Sequence, residues 1–201
     1  MRKMPVIIAH YTLHTPYEEE VKYLLRSLLS LELEFDVEPI ESLGTWRANS
    51  NYSIWLIEKM LNKYPERSIL KTDADAVFHK VPDLFLGNDF DCDFACRWQN
   101  FRYRKHELLG GTLYFANNKN ARELLRIWKE KCIVNPTARN PDLLQEAINK
   151  MGSNINARQL PASYCKIFDT MRYIKNPVIE HFQASRRLKK IIDQMDRKER
   201  L

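Results

Sequence analysis

The sequence predicts an α/β fold built on a mostly parallel sheet with helices on both faces. Two strand–helix units in succession, Val6–His10 with Glu18–Leu31 and Glu34–Ile40 with Tyr52–Tyr64, lead to a third strand at Ser68–Lys71. That alternation favours parallel pairing through helical crossovers. The composition agrees: 201 residues, 44% hydrophobic and 29% charged, suffice for one domain with its own core and are too apolar for a disordered chain.

Each element has its own signal. Val6 to His10 is a short apolar run of the kind that forms a buried strand, and Val21, Leu24, Leu25, Leu28 and Leu29 recur at helical spacing. Glu34 to Ile40 alternates as a strand does. Ile54, Trp55, Ile57 and Leu61 mark the second helix, which Pro65 ends. Further strands are expected at Asp93–Trp98, Leu113–Ala116, Ala157–Leu160 and Val178–Phe182, with helices at Asn118–Cys132 and Pro141–Met151. Asn100 to His106 reads as a basic, aromatic loop. Arg186 to Leu201 reads as a charged helix with Leu188, Ile191, Ile192 and Met195 on one face. One domain over 1–187, followed by a basic amphipathic helix over 188–201, is the expected organisation.

Several classes are excluded. No apolar run approaches the roughly 18 to 20 residues of a membrane-spanning helix, and the apolar stretch after Met1-Arg2-Lys3-Met4 breaks at His10, too early for a secretory leader. Cys92, Cys96, Cys132 and Cys165 form no C-x-x-C pair and no zinc spacing, so free thiols and a cytoplasmic location are expected. The net charge of +6 permits an anionic partner without naming one.

The sharpest chemical signal is Ile69-Leu70-Lys71-Thr72-Asp73-Ala74-Asp75. A strand delivers two carboxylates at its C-terminal end, where ligands bind in open α/β sheets. Asp73 and Asp75 so placed can share Mn²⁺ or Mg²⁺ with phosphate oxygens, or can simply cap backbone N–H groups in an Asp-rich turn.

This strand and D-x-D, following two α/β units and followed by Val81-Pro82-Asp83-Leu84-Phe85, resembles the nucleotide-diphospho-sugar transferases of the GT-A fold, a Rossmann-like three-layer α/β/α sandwich. The likeness is strongest to the glycogenin-like, retaining branch and its small relatives. It implies a metal-dependent glycosyltransferase, hexosyl- or pentosyl-, that moves a sugar from a nucleotide donor, a UDP-sugar foremost, to an acceptor hydroxyl. Three further segments match in order. Leu109-Gly110-Gly111-Thr112-Leu113-Tyr114 resembles the small-residue strand near the donor sugar, although Gly110 and Gly111 would equally serve a bulge. Asn140-Pro141-Asp142-Leu143-Leu144-Gln145-Glu146 resembles the acid/amide helix start beyond the sugar. Asp142, Gln145 and Glu146 compete for the catalytic role, while Asp142 also fits an ordinary first-turn acid with Asn140 as N-cap. His181-Phe182-Gln183-Ala184-Ser185-Arg186-Arg187 resembles the family's H-x-x-G-x-x-K. There His181 would complete the metal set, Ala184 replaces the glycine, and Arg187 replaces the lysine on the diphosphate. The resemblance leaves nucleotide recognition to His10, Tyr11 and Thr12 after the first strand, with Tyr17, and makes Arg47 the nearest basic substitute before the D-x-D.

Two rival readings follow from the residues. Asp73-Ala74-Asp75-Ala76-Val77 also fits the nucleophile loop of haloacid-dehalogenase-type phosphatases, where the first Asp attacks phosphate. That loop usually opens its domain, whereas some seventy residues precede it here. Arg97, Trp98, Phe101, Arg102, Tyr103, Arg104 and Lys105, with Arg186, Arg187, Lys189 and Lys190, interleave basic and aromatic groups as nucleic-acid-binding surfaces do. The acceptor is therefore open, nucleic acid included.

Overall fold

A computed structural model describes residues 3–87, 89–101 and 104–188. The chain runs β1 (Val6–Thr12), α1 (Tyr17–Ser30), β2 (Phe35–Ile40), α2 (Trp46–Asn51), α3 (Ser53–Lys63), β3 (Ile69–Thr72), β4 (Ala76–Phe78), β5 (Phe94–Phe101), β6 (Arg104–Phe115), α4 (Lys119–Val134), α5 (Asn140–Met151), β7 (Ala157–Gln159), β8 (Lys166–Ile167), β9 (Ile179–His181) and α6 (Ala184–Arg187). Six strands form the central sheet in the order β2-β1-β3-β6-β5-β7, and β4-β9-β8 form a small second sheet. All central strands run one way except β6, which is antiparallel to both of its neighbours. The expected mostly parallel α/β sheet is what forms.

The period-two alternation of β1 explains the layering. Val6 and Ile8 enter a core with Ile54, Ile57 and Leu61 of α3 and with residues of α4 and α5. Ile7 and Ala9 enter a second core with Val21, Leu24 and Leu28 of α1. That second face is completed by the small sheet, through Ala76, Phe78 and Ile179, as well as by a helix. In the first core Phe115 lies 4.9 Å from Phe94, edge-on, and stacks parallel to Trp128 at 6.4 Å, tying β5, β6 and α4 together.

Local chemistry accounts for several boundaries. Asn118 caps α4 by accepting from the Ala121 N–H at 2.9 Å, and Thr45 caps α2 by accepting from Ala48. α5 begins one residue earlier than expected: Arg139 holds the N-cap position without a side-chain bond, and Asn140 is already helical, its Oδ1 accepting from the Cys132 thiol. The largest correction lies at 100–106. Strand β5 extends to Phe101 and β6 starts at Arg104, so most of the expected loop is a long hairpin. Register shifts at Ala95/Arg97 and Gln99/Phe101 break the period-two pattern that would have signalled it. Arg97 and Trp98 sit on opposite faces of β5. Arg97 donates to the Leu160 carbonyl, whereas Trp98 packs against the first core and donates to Gln145. The basic–aromatic run at Arg97-Trp98 is thus divided between two faces. The helix expected over 188–201 lies outside the described residues except at Leu188, which closes α6.

Replacing Phe115 with Ala removes a fully buried ring from this stack. Phe115→Ala is expected to lower unfolding free energy by about 3–5 kcal/mol, seen as a lower urea midpoint with an unchanged slope.

Candidate functional site

A cavity of about 560 Å³ opens at the C-terminal ends of β1 and β3. Its lining includes His10, Tyr11, Thr12 and Arg47, the two carboxylates Asp73 and Asp75, Gly110, Gly111 and His181. The volume falls in the range of small-molecule sites.

Asp73, Asp75 and His181 each offer one ligand atom within 4.8 Å of the others. They arrive from distant parts of the chain. Asp73 and Asp75 lie on the turn between β3 and β4, closed by the Ala76 N–H donating to the Asp73 carbonyl. His181 is brought beside them because β9 pairs antiparallel with β4, matching Ala76 with His181. Each ligand is tied back through one atom. Asp73 Oδ1 accepts from the Lys71 ammonium at 2.5 Å, Asp75 Oδ2 accepts from the Ala184 N–H at 2.6 Å, and His181 Nε2 meets Thr112 Oγ1 at 2.8 Å. The second atoms face the cluster: Asp73 Oδ2 lies 3.9 Å from His181 Nδ1. Asp75 Oδ1 and His181 Nδ1 are buried without a hydrogen-bond partner. Unpartnered buried acceptors are costly, and a hard dication bound by two carboxylates and an imidazole would satisfy both. The residues fit Mn²⁺ or Mg²⁺.

The histidine tautomer is determined by its neighbour. The Thr112 hydroxyl donates to the Tyr164 carbonyl at 3.0 Å, which leaves it an acceptor toward His181. Nε2 therefore carries the proton and Nδ1 keeps its lone pair. Burial lowers the His181 pKa to about 4, so the ring is neutral. Burial, reinforced by the Asp73 charge, raises that of Asp75 well above the usual carboxylate range.

Gly111 serves the cluster directly. A Cβ there would lie 2.9 Å from His181 Cε1 and 3.2 Å from Asp73 Oδ2, with the imidazole held by Thr112 and unable to retreat. Gly110 has more room, its Cβ position meeting Pro141 at 3.4 Å. The positive φ near the end of this segment falls on Gln183, so Ala184 is unstrained where the resemblance has glycine.

The remaining expected residues divide. His10 bonds the Asn49 carbonyl at 2.8 Å, and burial lowers its pKa to about 4. Arg47 lies over the Trp46 ring, whose Nε1–H donates to the Tyr17 hydroxyl. Both line the cavity with Tyr11 and Thr12. Asp142 and Gln145 are not among the lining residues. On α5 the lining residues are Asn140 and Pro141 in the first turn and Leu144 one turn on, and Asp142 and Gln145 lie on the side of the helix turned away. Asp142 pairs with Arg139 on the surface, and Gln145 accepts from Trp98. Arg187 is also turned aside, donating to the Phe182 carbonyl and to Glu20, while Arg186 reaches the cavity wall.

Sequence reasoning missed Lys71, Thr112, Arg186 and the ion-paired Glu107 and Arg139, all of which line the cavity. Lys71 did carry a signal, since a lysine inside a buried strand needs a partner.

The model of one family, the nucleotide-diphospho-sugar transferases, matches residues 66–193, more than half of the chain. The chain belongs to that family. This decides between the transferase and phosphatase readings and makes glycosyl transfer from a nucleotide-activated sugar the activity of its class. The fold is shared with a glycosyltransferase involved in the glycosylation of the major capsid of PBCV-1 (TM-score 0.69, 15% identity), with 96% of this chain covering all of that one. It is shared too with the glycosyltransferase GlyE of Streptococcus pneumoniae TIGR4 (TM-score 0.60, 13% identity), 97% of this chain covering 60% of that one. At such identities the likeness speaks for fold alone. No curated protein matches the sequence. Among the described residues of this transferase, no helix is long and apolar enough to cross a membrane.

Two substitutions test the geometry of the cluster. Gly111→Ala is expected to weaken Mn²⁺ binding at least about tenfold in calorimetric titration while the fold persists in circular dichroism. Thr112→Val is expected to weaken it by about ten- to a hundredfold, and Thr112→Ser, which keeps the hydroxyl, to restore it.

Proposed function

We propose that this family member transfers a sugar from a UDP-sugar to an acceptor hydroxyl in a reaction that needs Mn²⁺ or Mg²⁺. The observation that carries the reading is the convergence of Asp73, Asp75 and His181 on one cavity, with two of their buried ligand atoms unpartnered. Bound there, the cation would neutralise charge building on the leaving diphosphate.

The chain's own groups supply the rest. Lys71, paired with Asp73, and Arg186, paired with Asp169 at 2.9 Å, line the cavity, and phosphate oxygens would compete with those carboxylates for them, in place of Arg187. Tyr11, Tyr17 and Trp46, also in the lining, offer aromatic rings to the base. The Glu107–Arg139 pair, also in the lining, presents polar groups suited to sugar hydroxyls, where the resemblance had suggested Asp142 and Gln145. Retention rests on the likeness of His181 to the retaining branch.

Calorimetric titration of UDP with Mn²⁺ tests this. Wild type is expected to bind in a metal-dependent manner, and Asp75→Ala to lose at least about a hundredfold in affinity. Donor turnover should be lost in the same variant, with NMR of the product reading retention at the anomeric carbon. If wild type binds no nucleoside diphosphate under any metal condition, the donor assignment fails.

A further inference from the structure

Lys71 is an unusual occupant of its position. It lies in β3, with a side chain only 8% exposed, and its ammonium is held 2.5 Å from Asp73 Oδ1 and 3.0 Å from the Gly110 carbonyl. An ammonium so buried needs a carboxylate partner. Here the partner is one of the three groups that would ligate the cation, and both members of the pair line the cavity.

We propose that Lys71 is a built-in counter-ion that makes divalent-cation binding at Asp73, Asp75 and His181 conditional on the nucleoside diphosphate. The inference rests on the metal-dependent donor site described above. With both aspartates ionised, the cluster carries two negative charges, and Lys71 halves that to a net of one. A dication arriving alone meets a positive charge directly behind its Asp73 ligand, in surroundings of low effective dielectric where such repulsion is strong. The ammonium lies 2.5 Å from Asp73 Oδ1, and Asp73 Oδ2 lies 3.9 Å from His181 Nδ1, so its charge stands one side chain away from the other ligands.

A nucleoside diphosphate reverses the balance. Its negative charge offsets the excess left once the dication and Lys71 share the site, and the ammonium, at the same cavity wall, is positioned to serve phosphate oxygens. Cation and nucleotide then bind as a pair, each raising the other's affinity by the same factor, as linkage requires. Lys71 would thus guard against an occupied metal site without donor. A purely structural lysine predicts the opposite effect on removal: loosening Asp73 would weaken cation binding.

The test is calorimetric titration of the full chain with Mn²⁺ alone, UDP alone and both, corrected for Mn²⁺ held by UDP in solution. Wild type is expected to bind Mn²⁺ at least about tenfold more tightly with UDP than without it. Lys71→Gln, which removes the charge and keeps a donor for Gly110, is expected to bind Mn²⁺ alone about tenfold more tightly than wild type and to lose most of the coupling. Lys71→Arg, which keeps the charge, should retain the coupling. Tighter Mn²⁺ binding on loss of charge supports the proposal, whereas equal or weaker binding by a folded Lys71→Gln overturns it. Should that variant not fold, the wild-type coupling decides, and Mn²⁺ affinity unchanged by UDP overturns the proposal. Wild type that binds UDP and Mn²⁺ neither singly nor together refutes the donor-site reading itself, a result distinct from binding without coupling.

Discussion

Three side chains that repel or desolvate one another are held together at the end of a buried strand, and much of the site's architecture follows from keeping them there. Asp73, Asp75 and His181 would separate in water, where each is better solvated alone. The fold prevents this by fastening one atom of each: to the Lys71 ammonium, to the Ala184 N–H and to the Thr112 hydroxyl. These fastenings come from β3, from the start of α6 and from β6, three segments that meet only in the folded chain. The site is therefore preorganised before any ligand arrives, and the reorganisation that binding would otherwise require has been met in folding.

The sheet topology makes that meeting unavoidable. β3 lies between parallel β1 and antiparallel β6, so Thr72 is paired with Thr112 and the D-x-D turn emerges beside Gly111. The small sheet then folds β9 back along β4 and places His181 over the glycine. Gly111 is where two constraints coincide: β6 must pass close to β3, and the imidazole needs the volume that a Cβ would occupy. The single reversed strand is thus more than a topological detail, since it carries Gly110, Gly111 and Thr112 past the ligand cluster.

The cavity is mixed in its chemistry. Its lining includes the aromatic residues Tyr11, Tyr17 and Trp46, the charged cluster, and the Glu107–Arg139 pair with Asn140 and Pro141. Aromatic, charged and hydrogen-bonding groups thus share one cavity.

The sequence by itself determined the alternation of strands and helices and the placement of Asp73 and Asp75 at a strand end, because periodicity and residue type are local properties, while His181 became a candidate through the resemblance to H-x-x-G-x-x-K. It could not show that strand continues through much of 100–106, where bulges break the period. Nor could it choose the α5 residues that face the cavity: Asp142 and Gln145 are chemically apt, but the helix is rotated so that Asn140, Pro141 and Leu144 line it instead. The same rotation problem separated Arg186 from Arg187. Lys71 and Thr112 stood in plain view in the sequence, yet Thr112 acts through a contact across 69 residues, to His181, and Lys71 is buried beside Asp73 by a strand pairing that brings Gly110, 39 residues on, against it. Tertiary structure decided these because a side chain's direction is set by what its element packs against, and that partner lies far away in the chain.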